Sequence, residues 1–335
     1  MGSVVRKYNW LPKRTDNEHQ PYSLFPVPHS QLQFYVIFIG VIFLFTACSQ
    51  QTQKNGLLIV VSIPPQAWFV SQIAGDNAHT MILVSSGQNP HNYEPGPKQI
   101  QSLSSARAWI LSGSEFEISL KPKAAAVFPN LLIVDGTEGV QFRTLEEHDH
   151  YDGDAHSSLE IDRHTWLGRE PAKILAAHIR DTLSIVDSAN EEYYSENCET
   201  LMRLIDDEFD KLKIELAPLY GKRVFVYHPS FGYFLDEFGI SQVAVETGGK
   251  EPGPRELNNL VAKLKEEQAA AIFVQAQFPV NAARTLASAA GAELISLNPL
   301  AEEWLENIRL MGATLEMSTL EMSTLEMSIP ERVVP

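Results

Sequence analysis

Short apolar segments alternate with helical ones in two separate stretches of this chain, and a long amphipathic segment lies between them. In the first stretch, strand patterns fall at residues 57–63, 80–84, 108–111 and 130–134. Pro64-Pro65 opens a helix running to about residue 74, and Pro171 falls in the first turn of another that runs to about residue 186. In the second stretch, strand patterns fall at 223–227, 242–245, 271–274 and 293–296, with helices at 255–267, 280–289 and from about residue 301. Alternation of this kind implies parallel strands with helices on their faces. On segment 188–216, Leu201, Leu204, Ile205, Phe209 and Leu212 recur at helical spacing while Glu, Asp and Lys fill the other face. A helix of that length spans about 40 Å at 1.5 Å per residue, enough to brace two lobes. The expected fold is therefore α/β: two similar α/β lobes with mainly parallel sheets joined by a long rigid backbone helix.

A chain of 335 residues accommodates this plan. The expected divisions are a signal segment at 1–48, an N-terminal lobe at 49–187, a linking helix at 188–217, a C-terminal lobe at 218–313 and a repetitive tail at 314–335. Residues 142–161 interrupt the first lobe with a polar, acidic stretch of no regular period, expected to be a mobile loop. The tail contains three copies of Thr-Leu-Glu-Met-Ser over 314–328. Each five-residue step drifts about 140° around a helix. No apolar stripe survives that drift, and the tail is expected to be a frayed extension.

The apolar run at 34–47 is short for a membrane span and suits the core of a signal peptide. Cys48 follows it directly, after the small residues Thr46 and Ala47. This resembles a bacterial lipoprotein signal, in which the cysteine carries the lipid. Phe45 departs from that pattern, and the alternatives are a cleaved secretory signal or an uncleaved anchor. All three put the folded part outside the cytoplasm, in a periplasm or on the outer face of the membrane. The second cysteine, Cys198, is left without a partner and is expected to be a packing residue. The net charge of −16 argues against nucleic acid as a partner, because a basic face supplies that affinity.

Three histidines occupy distinctive settings far apart in the chain. His91 lies in Asn89-Pro90-His91-Asn92-Tyr93-Glu94-Pro95, on a loop stiffened by prolines 90, 95 and 97. His164 lies in Asp162-Arg163-His164-Thr165-Trp166-Leu167, and His228 in Tyr227-His228-Pro229-Ser230-Phe231-Gly232-Tyr233-Phe234. Between the first two, the acidic loop carries His148, His150 and His156. Neutral imidazole is the commonest protein ligand for zinc. Three imidazoles from three parts of a fold form a candidate metal site. The loop histidines are a candidate accessory metal loop, a soluble polar loop being the alternative. Trp166 and Tyr233 are expected to pack around the ligands, and Asp162 to be able to orient an imidazole.

Taken in order, Pro90-His91-x-x-Glu94-Pro95, the acidic His-rich loop, Asp162-x-His164-x-Trp166-Leu167, Glu192-Tyr193-Tyr194, Tyr227-His228-x-x-Phe231-x-Tyr233-Phe234 and Asn298-Pro299-Leu300 resemble the metal-binding receptors of bacterial ABC importers, and most closely the zinc-uptake branch. The resemblance covers roughly residues 57–312. It implies two α/β lobes, a linking helix, Zn²⁺ held as cargo between the lobes by His91, His164 and His228, and delivery to an ABC permease. The lipoprotein-like signal implies a membrane tether through Cys48, and a monomer is expected. Many members complete the site with a carboxylate from the second lobe, where this chain has neutral Asn298 and Gln275. Glu94, Asn298 and Gln275 are the candidates for a fourth donor, alongside water or the loop. Three nitrogens without a certain carboxylate favour zinc over manganese. The other readings are a receptor for manganese or another divalent metal, an adhesin on the same fold, and a zinc hydrolase. The hydrolase lacks support from any His-Glu-x-x-His or Gly-x-Ser-x-Gly motif.

Overall fold

Among the described residues, eight strands form two four-stranded sheets, and every pairing within these sheets is parallel. The first holds β1 (Leu57–Val61), β2 (Ala78–Ile82), β3 (Ala108–Leu111) and β4 (Leu132–Asp135) in the order β2-β1-β3-β4. The second holds β5 (Arg223–Val226), β6 (Ser241–Ala244), β7 (Ala271–Val274) and β8 (Glu293–Ser296) in the order β6-β5-β7-β8. The two orders are the same, so one sheet topology is used twice. The structure, a computed structural model, describes residues 56–145, 160–246, 252–278 and 281–327, with side chains to residue 318. Cys48 and the signal segment, His148, His150 and His156, and residues 328–335 lie outside the described residues.

Central strands β3 and β7 are buried at every position, whereas the edge strands β2 and β8 are not. That difference is what helices on both faces of a parallel sheet produce. In the first lobe the helices are α1 (Pro64–Ala74), α2 (Pro97–Leu103) and α3 (Glu115–Val127). Helix α4 (Arg169–Val186) leads into α5 (Glu191–Glu215), the linking helix, about 37 Å long at 1.5 Å per residue. Tyr194, Cys198, Leu201, Ile205, Phe209 and Leu212 form its buried stripe. In the second lobe follow α6 (Gly232–Asp236), α7 (Pro254–Glu266), α8 (Asn281–Ala290) and α9 (Trp304–Met327). Among the described residues no helix is long and apolar enough to cross a membrane.

Two sequence expectations shift. Strand β2 begins at Ala78, two residues before the apolar pattern suggests, because its register pairs Ala78 with Leu57 at the start of β1. The repeat copies are not frayed from residue 314, since α9 continues through them to Met327. Thr-Leu-Glu-Met-Ser consists largely of good helix formers, and extending a nucleated helix costs little. The angular drift still has its effect: Leu315 is buried at 2% exposure while Met317 is 59% exposed.

One apolar core passes from the first sheet through α1, α4 and α5 to α9 and one face of the second sheet. A smaller cluster fills the other face of the second sheet. Trp304 is the keystone of the shared core. Its ring meets Trp68, Phe69 and Phe209, and its indole N–H donates to the Trp166 carbonyl at 2.6 Å. Trp166 in turn donates to the Pro299 carbonyl at 2.7 Å. The turn that bears His164 is thereby tied to the C-terminal segment. Trp304→Ala is expected to lower unfolding stability by about 3–5 kcal/mol, the usual cost of emptying a large aromatic from a core. Denaturant titration checks this, and a loss under 1 kcal/mol would mean the lobes are stitched elsewhere.

Candidate metal centre

In a parallel α/β sheet, ligands bind beyond the carboxyl ends of the strands. Both lobes place their candidate groups there. His91 lies in the Pro90–Asn92 helical turn on the loop after β2. Pro90 opens that turn, and the Asn89 side chain accepts the His91 backbone N–H at 3.0 Å. His228 follows β5, Glu246 follows β6, Gln275 follows β7 and Asn298 follows β8. His164 stands just before the Thr165–Leu167 turn that leads into α4.

The fold brings His91, His164 and His228 together, with one ligand atom of each within 4.8 Å of the others. The Nε2 atoms converge, His91 to His228 at 2.9 Å and His228 to His164 at 3.2 Å. Each ring has a carboxylate at its other nitrogen. Nδ1 of His91 meets Glu115 at 3.0 Å, that of His164 meets Asp162 at 2.8 Å, and that of His228 meets Glu246 at 2.5 Å. A carboxylate at Nδ1 holds the proton there and turns the Nε2 lone pair inward. Three lone pairs pointing into one space repel unless a cation or a proton lies between them. Nitrogens bound to zinc at about 2.0–2.1 Å in a tetrahedron stand about 3.3 Å apart, close to the observed separations. The donor set therefore fits a tetrahedral cation with three nitrogen ligands.

The rings differ in environment. His228 is buried and stacks on Phe278 with centroids 4.4 Å apart. Burial pulls its pKa down to about 4, against the opposing pull of Glu246. His91 is more open, its side chain 31% exposed. Burial lowers its pKa, but the hydrogen bond and charge of Glu115, with smaller contributions from Glu246 and Glu160, carry it above the ordinary imidazole value. Asp162 is fully buried; desolvation pushes its pKa up, yet the hydrogen bonds from His164 and Arg143 hold it below the usual carboxylate range. Arg163 approaches Glu115 at 3.4 Å and donates to the Gly113 carbonyl at 2.9 Å, which fixes the Glu115 end of the His91 pair.

Two of the candidates for a fourth donor, Gln275 and Asn298, are otherwise engaged. The Gln275 amide is spent on positioning His228: its oxygen accepts the His228 backbone N–H at 3.3 Å, and its nitrogen donates to the His228 carbonyl at 2.7 Å and to Ser230 at 2.8 Å. The Asn298 side-chain oxygen accepts from Gln277 at 2.9 Å and from the Leu300 backbone at 3.1 Å, shaping the turn after β8. Glu94 is exposed and lines a groove between α2 and α3 with Tyr93, Phe116 and Lys123. The Gln275 and Asn298 side-chain oxygens thus both already accept from other donors.

Asp162 is found where the sequence reading allowed it, on Nδ1 of His164. Glu115 and Glu246 were not singled out. Glu115 sits in the first turn of α3, where a carboxylate is ordinary for a helix start. Glu246 ends Val-Ala-Val-Glu, a strand exit like many others. The available signal was position alone, since both lie within four residues of the carboxyl end of a parallel strand. Cys198 is buried against the Ala176 carbonyl, as expected of a packing residue. The base of the acidic loop is closed by an antiparallel bridge between Thr144 and Ile161, one residue from Asp162.

Comparison with known proteins supplies independent findings. The profile of the family described as zinc-uptake complex component A, periplasmic (ZnuA), matches residues 59–317. The zinc-binding lipoprotein AdcA of Streptococcus pneumoniae R6 is 30% identical over 268 residues, which cover 76% of this chain and 52% of that protein. The chain thus spans about half the length of that relative. Among solved structures, a crystal structure of ZnuA superposes with a TM-score of 0.73 at 31% identity, covering 79% of this chain and 99% of the other. A ZnuA variant lacking residues 138–173, with zinc bound, superposes with a TM-score of 0.71 at 30% identity, covering 78% and 97%.

Proposed function

The chain belongs to the ZnuA family of periplasmic zinc-uptake components, and from that premise we propose that it is the extracytoplasmic receptor that captures Zn²⁺ through His91, His164 and His228 and delivers it to an ABC permease. The family consists of solute-binding receptors of importers and not of enzymes. The observation that carries the reading is the convergence of three Nε2 atoms, each imidazole backed by its own carboxylate. With Gln275 and Asn298 committed to other bonds, the fourth donor in this reading is water, Glu94 or a side chain of the acidic loop.

Nitrogen donors favour zinc over manganese, which prefers carboxylate oxygen and higher coordination. The three histidines reach the site from the first lobe, 49–187, and the second, 218–313, so the cargo contacts both. The shared core behind α5 argues that capture involves small adjustments more than a wide hinge. In this reading Cys48 carries the lipid that tethers the receptor, and His148, His150 and His156 collect zinc near the site. The neck of their loop, at Thr144 and Ile161, supports that placement.

The test is metal competition on purified, demetallated protein without a histidine tag. One zinc per chain is expected, held at least a hundredfold more tightly than manganese, with chelator competition as the readout. A preference for manganese, or no tight binding of either metal, would overturn the reading.

A further inference from the structure

Arg143 lies outside the ring of histidines and their carboxylates, yet it touches three parts of the site at once. Its Nη1 donates to Asp162 Oδ2 at 2.8 Å, on the carboxylate whose other oxygen holds His164. Its Nε donates to Asp236 Oδ2 at 2.8 Å, at the end of α6 in the second lobe. Its own backbone N–H donates to the Tyr233 hydroxyl at 3.1 Å, and that hydroxyl donates to the Asp162 carbonyl at 3.1 Å. The Asp162 backbone N–H returns a bond to the Arg143 carbonyl at 3.0 Å. These residues also form the neck of the acidic loop, beside the Thr144–Ile161 bridge.

The guanidinium is packed where only a glycine allows it. A Cβ built on Gly232 would stand 1.7 Å from Arg143 Nη1 and 2.3 Å from Cζ. Gly232 opens α6, and no positive φ requires a glycine there. The absent side chain is thus explained by the close approach of the arginine. Asp162 is fully buried, and a carboxylate in that position stays ionised only when paired and fully hydrogen-bonded. One guanidinium face spans two carboxylates in different lobes, which a lysine ammonium cannot reproduce with the same geometry.

We propose that Arg143 is a positioning residue that latches the lobes together through Asp236 and, through Asp162, sets the orientation in which His164 meets the metal. The latch rests on the zinc-receptor reading for its purpose, but its geometry can be tested in the metal-free protein. Losing an outer partner of a metal-bound histidine typically weakens metal binding 10–100-fold.

The experiment compares the full protein with Arg143→Gln, Arg143→Lys, Gly232→Ala and the Arg143→Gln/Gly232→Ala double variant. Two quantities are read. One is zinc affinity by chelator competition. The other is the imidazole Nδ1–H proton resonance of His164 in the metal-free protein, assigned by its loss in His164→Gln. Arg143→Gln is expected to weaken zinc about tenfold or more and to shift or erase the His164 resonance while those of His91 and His228 persist. Gly232→Ala keeps every charge but wedges the guanidinium out, and should reproduce both effects. The double variant should be no worse than Arg143→Gln, and Arg143→Lys should fall between Arg143→Gln and the wild type.

An unchanged His164 resonance in folded Arg143→Gln or Gly232→Ala would overturn the proposal, and so would losses that multiply in the double variant. If the wild-type protein fails to bind zinc, the receptor reading falls, while the resonance still decides the latch.

Discussion

His228→Ala is expected to weaken zinc binding roughly a thousandfold, about 4 kcal/mol at 1.4 kcal/mol per decade. His228 is the central member of the trio, its Nε2 lying 2.9 Å from that of His91 and 3.2 Å from that of His164. It is also the most completely constrained. Phe278 stacks on the ring, Gln275 brackets the backbone on both sides, and Glu246 holds Nδ1. Truncation removes a third of the nitrogen donors and strands Glu246, a buried carboxylate, beside an emptied space. His91→Ala is expected to cost roughly tenfold less than His228→Ala. His91 is partly exposed, so water can enter its place and Glu115 remains beside Arg163. Equal losses for the two substitutions would mean that exposure does not grade the ligands. A His228→Ala protein that is folded by circular dichroism and binds zinc within tenfold of wild type would show that the site lies elsewhere.

Acidification is expected to release zinc in two stages, with His91 as the first of these two rings to take a proton. Metal binding requires the neutral imidazole, so a proton on Nε2 competes directly with the cation. The carboxylate of Glu115 raises the His91 pKa above 6.5, so protonation of that ring begins near neutral pH in the metal-free protein. From there downward, apparent affinity should fall by up to about tenfold per pH unit, the limit for one competing proton. Burial keeps His228 neutral down to about pH 4, where a further proton steepens the loss. The sign follows from the direction of each shift: a raised value brings proton competition in at higher pH, and a depressed one postpones it. Glu115→Gln separates the two contributions. It removes the group that raises His91 and leaves the burial that lowers it, so the onset should move to lower pH even as affinity at neutral pH drops. Chelator competition between pH 8 and pH 4 reads both. A wild-type profile flat from pH 7 to pH 5 would contradict the assignment of His91 as ligand.

The three candidate ligands were legible because each sits in a recognisable stretch of chain: Asn-Pro-His-Asn-Tyr-Glu-Pro, Asp-Arg-His-Thr-Trp-Leu and Tyr-His-Pro-Ser-Phe. Asp162 was within reach because it lies two residues from His164. Glu115 and Glu246 were not, since the one is 24 residues from His91 and the other 18 from His228. Nothing local distinguishes them from a helix-start carboxylate and a strand-exit carboxylate. The neutral residues are a different case. Gln275 and Asn298 stand where a ligand was sought, and the fold has given both amides to backbone and side-chain partners.

Periodicity in the chain was sufficient to indicate two sets of parallel strands and the long helix between them, while local motifs and the resemblance they carry marked the three imidazoles. It reaches that far because helix and strand patterns are local, repeating within a few residues. Which nitrogen of each imidazole faces inward, which lone pairs converge and which carboxylate holds each ring were decided only when strands from two lobes were folded side by side. Apart from Asp162, two residues from His164, those are contacts across 18 to 137 residues of sequence. Such contacts follow from the stacking of strand ends and from the close approach that Gly232 permits to Arg143, and neither leaves a periodic trace in the chain.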